Sequence, residues 1–198
     1  MKLPILEQKN INDFPKFIDF WAQMYNIEAD KKKKYDECIV KSKFDENDIQ
    51  NLYIWKNGSK LSGAKQKSLN EKIISKLAII NDFKSNFDLD TFLKEFENVS
   101  FVWKIFLLHI IKPLEYPIYD QHIHRAYQFI FEKDWQSVSA QMNEKAKHEF
   151  YFQTYLPFVK SETKKHELEI RNLDRGLFVF GGNLKRKKIS LSVQILMK

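Results

Sequence analysis

Residues 98–125 read NVSFVWKIFLLHIIKPLEYPIYDQHIHR. The run 100–111 is apolar nearly all round, the pattern of a helix with no solvent face, so it is expected to be the central buried helix. Pro113 stops it. A proline-bracketed loop then returns a single carboxylate, Asp120, followed by His122, Ile123 and Arg125 at helical spacing. An aspartate placed there is a good N-cap for a helix over 121–132. A carboxylate held at such a loop can equally stabilise developing positive charge or activate a water molecule. One side chain can do both.

Outward from this window the pattern stays helical. Apolar residues at 14, 17, 18, 21, 24 and 25 predict an amphipathic helix, with Asn12 or Asp13 as cap and Pro15 in its first turn. The lysine-rich stretch after it, 29–47, reads as a loop with a solvated surface. NDIQNLYIWKNG predicts a second helix ended by Asn57-Gly58. Residues 67–81 predict a third, and 88–99 a fourth capped by Asp88 or Asp90. Beyond 132 a long aromatic helix runs through KHEFYFQTYLPFV, with Pro157 expected to kink or end it. ELEIRNLDRGLFVFGG follows as a helix closed by Gly181-Gly182, and ISLSVQILMK reads as strand or helix. The fold class is all-α.

With 198 residues the chain suffices for one large unit or two helical lobes, the latter about 46–131 and 1–45 with 132–198. Seventeen Phe, eight Tyr and four Trp give an aromatic core, and five Gly with five Pro are too few for an all-β chain. The net charge of +7 favours a polyanionic partner. Cys38 is the single cysteine, so neither an internal disulfide nor a four-cysteine zinc or iron–sulfur site can form. His122 and His124 stand two apart and diverge on a helix, so no metal pair and no cofactor is expected. His109, inside the apolar run, reads as a satisfied core histidine. MKLPILEQKN turns polar too early for a cleavable leader, and FLLHII is far too short to span a bilayer. A soluble, cytoplasmic protein without a membrane segment is the expectation.

The order helix, tight turn at Asn98-Val99-Ser100, buried helix, then Asp120-Gln121-His122-Ile123-His124-Arg125 resembles the helix-hairpin-helix DNA glycosylase superfamily. Its signature is a hairpin of the form L-P-G-V-G, a buried helix, and D-x-H-x-x-R about twenty residues on. LDRGLFVFG at 173–181 also resembles a closing helix of uncharacterised relatives of that fold. The resemblance covers roughly 46–131 plus that helix. It implies an all-α helix-hairpin-helix domain in which Asp120 is catalytic, with His122 and Arg125 in support. The backbone around Asn98, Ser100, Phe101 and Val102, with Lys104, would then hold a DNA phosphate. The pattern is departed from in two respects. Asn98 and Ser100 replace the hairpin glycines, and Val102 stands where lyase members carry a Schiff-base lysine, so an active protein would be monofunctional.

More ordinary roles exist for the same residues. Arg125 could pair with an acidic neighbour such as Asp174, and the KRKK cluster at 185–188 is a phosphate contact or a solvated end. The function implied is base excision from DNA by hydrolysis of an N-glycosidic bond. The alternative is a non-catalytic member of the fold that binds nucleic acid or a protein partner, and a third reading is a helical interaction module whose charge serves solubility.

Overall fold

A computed structural model describes residues 13–26, 29–131, 133–139 and 141–185. The ISLSVQILMK segment and all but Lys185 of the KRKK cluster lie outside these residues. The described chain is all-helical. It runs α1 (Phe14–Gln23), α2 (Ala29–Ile39), α3 (Glu46–Asn57), α4 (Gly63–Lys72), a 3₁₀ turn (Ile74–Lys76), α5 (Leu77–Ser85), α6 (Leu89–Glu95) and α7 (Phe101–Ile111). Then follow α8 (Gln121–Ile130), α9 (Glu144–Phe150), a π turn (Tyr151–Tyr155), α10 (Leu156–His166) and α11 (Ile170–Lys185). Among the described residues no helix is long and apolar enough to cross a membrane.

The helices form two compact units, Ile27–Ile118, and Met1–Asn26 with Tyr119–Lys198. The division falls between Ile118 and Tyr119, just before Asp120. α8 belongs with the C-terminal helix because the two pack backbone to backbone.

In the first of these units α7 is the buried centre, with Phe101 and every residue from Ile105 to Ile111 inside. Tyr53 packs edge-on against Trp103 and Phe106, and its hydroxyl donates to the Trp103 carbonyl at 3.0 Å. His109 is fully buried, with Nδ1 2.8 Å from the Tyr116 carbonyl and Nε2 2.6 Å from the Tyr35 hydroxyl. A carbonyl can only accept, so Nδ1 carries the proton and Nε2 accepts from Tyr35. It is a satisfied core histidine. Asp45 and Asp48 close a capping box on α3, and Gly58, left-handed at φ 76°, ends that helix as Asn57-Gly58 signalled.

Two sequence expectations change here. The lysine-rich loop is instead helix α2, because Tyr35 and Cys38, one turn apart, bury on one face while Lys33, Lys34 and Glu37 face solvent. Lysine is a good helix former, and a polar run with two buried positions suffices. The single helix expected over 67–81 is broken at Ile73, whose φ −126° and ψ −61° leave the helical region. Ser62 caps α4 earlier than the apolar pattern begins, and the break lets Leu69, Ile73 and Ile80 all reach the core.

In the other unit α11 lies against α1 and α8. Phe180 centres the contact, 5.0 Å from Phe17, 5.2 Å from Trp21 and 5.4 Å from Phe129 between ring centroids. A buried phenylalanine of this kind contributes roughly 1.5–3 kcal/mol. The Gly181-Gly182 pair does not close the helix, which continues to Lys185. Gly181 is instead where the α8 backbone crosses: a Cβ there would overlap the His122 carbonyl oxygen and stand 3.2 Å from Ala126 Cβ. Gly176 does the same for α1, where a Cβ would lie 2.8 Å from the Ile18 carbonyl oxygen. Pro157 does not end the helix but stands in the first turn of α10. Pro157 has no N–H and crowds the carbonyl four residues back, and the chain widens into the π turn just before it, with Leu156 N–H donating to the Tyr151 carbonyl.

Candidate functional site

The predicted residues fall into two groups, one in each unit. In the unit containing α7, residues 96–100 make the turn between α6 and α7. Val99 is buried in the turn, and its N–H donates to the Phe96 carbonyl at 3.0 Å. Asn98 and Ser100 are exposed, and neither takes a left-handed backbone; Glu167 is the sole non-glycine residue at positive φ among those described. The turn therefore forms without the conformational freedom that the missing glycines would supply. Ser100 stands at the N-cap of α7, but its side chain makes no capping hydrogen bond.

Three ammonium groups gather on this turn. Lys72 Nζ donates to the Asn98 carbonyl at 3.0 Å, Lys76 Nζ to the Glu95 carbonyl at 2.6 Å, and Lys104 Nζ to the Glu97 carbonyl at 3.3 Å. Only Lys104 was anticipated. Lys72 and Lys76 come from the end of α4 and from the 3₁₀ turn, and no local pattern links them to residue 98. Phe101 is buried at its side chain, and Val102 is half-buried.

The other group surrounds the head of α8. Asp120 is half-buried and caps the helix, accepting from the His122 N–H at 2.9 Å. Arg125, only 5% exposed, donates from one terminal nitrogen to the Val138 carbonyl at 2.7 Å. The other terminal nitrogen reaches the Gly181 carbonyl at 3.4 Å and His122 Nδ1 at 3.1 Å. Arg125 thus ties the 133–139 loop and α11 to α8. Asp174, suggested as its partner, is buried and accepts from the Tyr155 hydroxyl at 2.9 Å. His122 has its pKa lowered by burial, against the opposing pull of Asp120, and its ring meets Phe178 edge-on at 5.3 Å.

Around Asp120 the structure adds residues that the sequence did not mark. Tyr25 has its hydroxyl pKa raised by burial; Arg171 and Arg175 oppose that shift, while Asp120 and Asp174 reinforce it, so all four charges share one neighbourhood. Phe178, 36% exposed, lies 6.0 Å from the Tyr25 ring, and the Arg175 guanidinium stands 5.8 Å from that ring's centre. Arg175 Nε is buried without a hydrogen-bond partner among the described residues, an orphan donor of the kind a ligand can satisfy. An aromatic face, a carboxylate and guanidinium groups are thus assembled from α1, α8 and α11.

His124 turns elsewhere. Its ring stacks on Phe150 at 3.5 Å, with Nδ1 2.9 Å from the Tyr119 hydroxyl and Nε2 3.2 Å from Gln128 Nε2. Burial, with Arg125 adding to it, lowers its pKa from 6.5 to about 4. The unfolded chain therefore binds more protons than the folded one between those values. Stability is fully held above pH 6.5, falls as the pH drops toward about 4, and loses nothing further to this group below that. The integrated effect is on the order of 3 kcal/mol. Urea titrations of wild type and His124→Gln across this range should show a flatter pH dependence in the variant; parallel curves would remove His124 as the cause.

Among the described residues no group of three His, Cys, Asp or Glu side chains is placed to hold a metal ion. Comparison of the chain with protein-family models, with curated proteins and with solved structures finds no match.

Proposed function

We propose that the protein is a DNA glycosylase-like hydrolase in which Asp120 serves base release. The reading is supported chiefly by Asp120 itself, a half-buried carboxylate held by the His122 amide beside the Tyr25 and Phe178 rings. A base extruded from the duplex would stack on such a face. The bond from the sugar C1′ to the base nitrogen breaks, its electron pair leaves with the base, and Asp120 stabilises the oxocarbenium-like sugar. Water then adds to C1′ and gives a proton to the Asp120 carboxylate, which passes it to the base nitrogen, so the base leaves neutral and Asp120 is again ionised. With valine at position 102, no Schiff-base step accompanies the hydrolysis.

The α6–α7 turn with Lys72, Lys76 and Lys104 is the proposed phosphate grip. A Lys72→Gln, Lys76→Gln, Lys104→Gln triple variant should bind duplex DNA more weakly at low salt. Its log-affinity against log-salt slope should be shallower by about 2 to 3. Fluorescence anisotropy over a salt series reads both, and an unchanged slope would remove the turn from the interface.

The activity is tested by single-turnover base release, at low salt, from duplexes carrying 8-oxoguanine, uracil, alkylated purines or adenine mismatches. Release from one of them is the expected result. No release from any would leave the second reading, a non-catalytic protein of this kind that binds nucleic acid or a protein. That reading has its own support, since the Asp120 carboxylate already forms a complete helix cap.

A further inference from the structure

A cleft of about 610 Å³ lies in the unit that contains α8, and Asp120 is not among its lining residues. Its walls include Phe14, Tyr127, Phe131 and Phe158, together with Gln153 and Glu162. The rings stand nearly at right angles about Phe158: Phe14 at 5.7 Å and 75°, Tyr127 at 5.1 Å and 82°, Phe131 at 5.5 Å and 87°. Phe14, Phe131 and Phe158 keep part of their surface accessible at this wall, while Tyr127 is buried behind them. Glu162 follows Phe158 by one helical turn, so its carboxylate lies over the same stretch of α10. It is only 19% exposed, with His166 Nε2 at 3.3 Å. The π turn brings Gln153 to the wall, and such turns recur where a helix has been reshaped for a ligand.

Aromatic faces carry negative electrostatic potential, and a partly desolvated carboxylate adds to it. Phosphates and other anions are disfavoured here, although the chain as a whole is basic. A primary ammonium would have to give up strong hydration and find partners for three N–H groups. A quaternary ammonium has no N–H to satisfy and is weakly hydrated, so ring faces and one carboxylate suffice. Tyr127 already has an ammonium near it, Lys133 Nζ, 5.8 Å from the ring centre.

We infer that this cleft binds a small organic cation bearing a quaternary ammonium group, held by the rings of Phe14, Phe131 and Phe158 and by Glu162. The inference is independent of the role of Asp120. It is tested by calorimetric titration of the full chain with choline, with Nε-trimethyl-lysine, and with 3,3-dimethyl-1-butanol, the uncharged isostere of choline. Saturable binding of a cation is expected, with the isostere weaker by about tenfold. Glu162→Gln and Phe131→Leu should each weaken the cation by about five- to tenfold. Phe131 is 43% exposed and Glu162 lies at a cleft wall, so thermal midpoints close to wild type are expected and are measured alongside. Preference for choline or for trimethyl-lysine, with the isostere weak in both cases, supports the site and identifies the source of the cation. Absence of saturable binding, equal binding of the isostere, or variants that bind like wild type would overturn it.

Discussion

Gly181→Ala is expected to abolish the folded state of the unit that contains α8. The added methyl would overlap the His122 carbonyl oxygen, stand 2.6 Å from its carbon, and press on Ala126 at 3.2 Å. Two of these three neighbours are backbone atoms in the first turn of α8, and they cannot move aside as a side chain could. Relief requires separating α11 from α8, which would also open the Arg125 bond to the Gly181 carbonyl and the Phe129–Phe180 contact. Overpacking usually costs about 1–3 kcal/mol; a clash against backbone belongs in the tail above about 4 kcal/mol. Gly176→Ala meets the Ile18 carbonyl oxygen at 2.8 Å, a milder conflict, and should fall nearer about 2 kcal/mol. Urea unfolding followed by circular dichroism ranks the two. A Gly181→Ala protein with a midpoint near wild type would mean that α8 and α11 do not cross this closely.

Asp120→Asn and Asp120→Ala separate the capping role of this residue from the proposed catalytic one. Asparagine at an N-cap also accepts a backbone N–H, so stability should change by only a few tenths of a kcal/mol, while alanine costs about 1 kcal/mol. Base release behaves differently. Asparagine keeps the shape but loses the charge that stabilises an oxocarbenium-like sugar and the basic oxygen that takes the proton. Both variants should therefore be slower than wild type by about 10² to 10⁴-fold. Single-turnover release and urea midpoints, measured on the same three proteins, decide the matter. If the asparagine variant releases base as fast as wild type, Asp120 is a cap alone.

The turn between α6 and α7 shows where reading a sequence by residue type misleads. Glycines at such a turn would suggest backbone freedom, so Asn98 and Ser100 look like impairments. The turn forms with negative φ throughout, Val99 buried beneath it and the Phe96 carbonyl accepting its N–H. What the substitutions change is the exposed face of the turn, where the lysines gather. Lys72 could be assigned to that face only by knowing how the chain breaks at Ile73, a break that no period of apolar residues announces.

The all-helical class, the buried helix over 100–111 and the cap at Asp120 were legible in the sequence, while for two other helices it offered a pair of caps, of which Asp13 and Asp88 are the ones used. Each is a local property: a cap satisfies an amide two or three residues away, and periodicity assigns a face within one helix. Which face meets which other helix is not local. Tertiary structure alone decided that Gly181 is an interior crossing and not a stop, and that Tyr25, Phe178 and Arg175 stand around Asp120. It also brought Phe14 to Phe158, from opposite ends of the described chain. Such meetings depend on the packing of whole helix surfaces, where the loss of a single Cβ sets how closely two backbones approach.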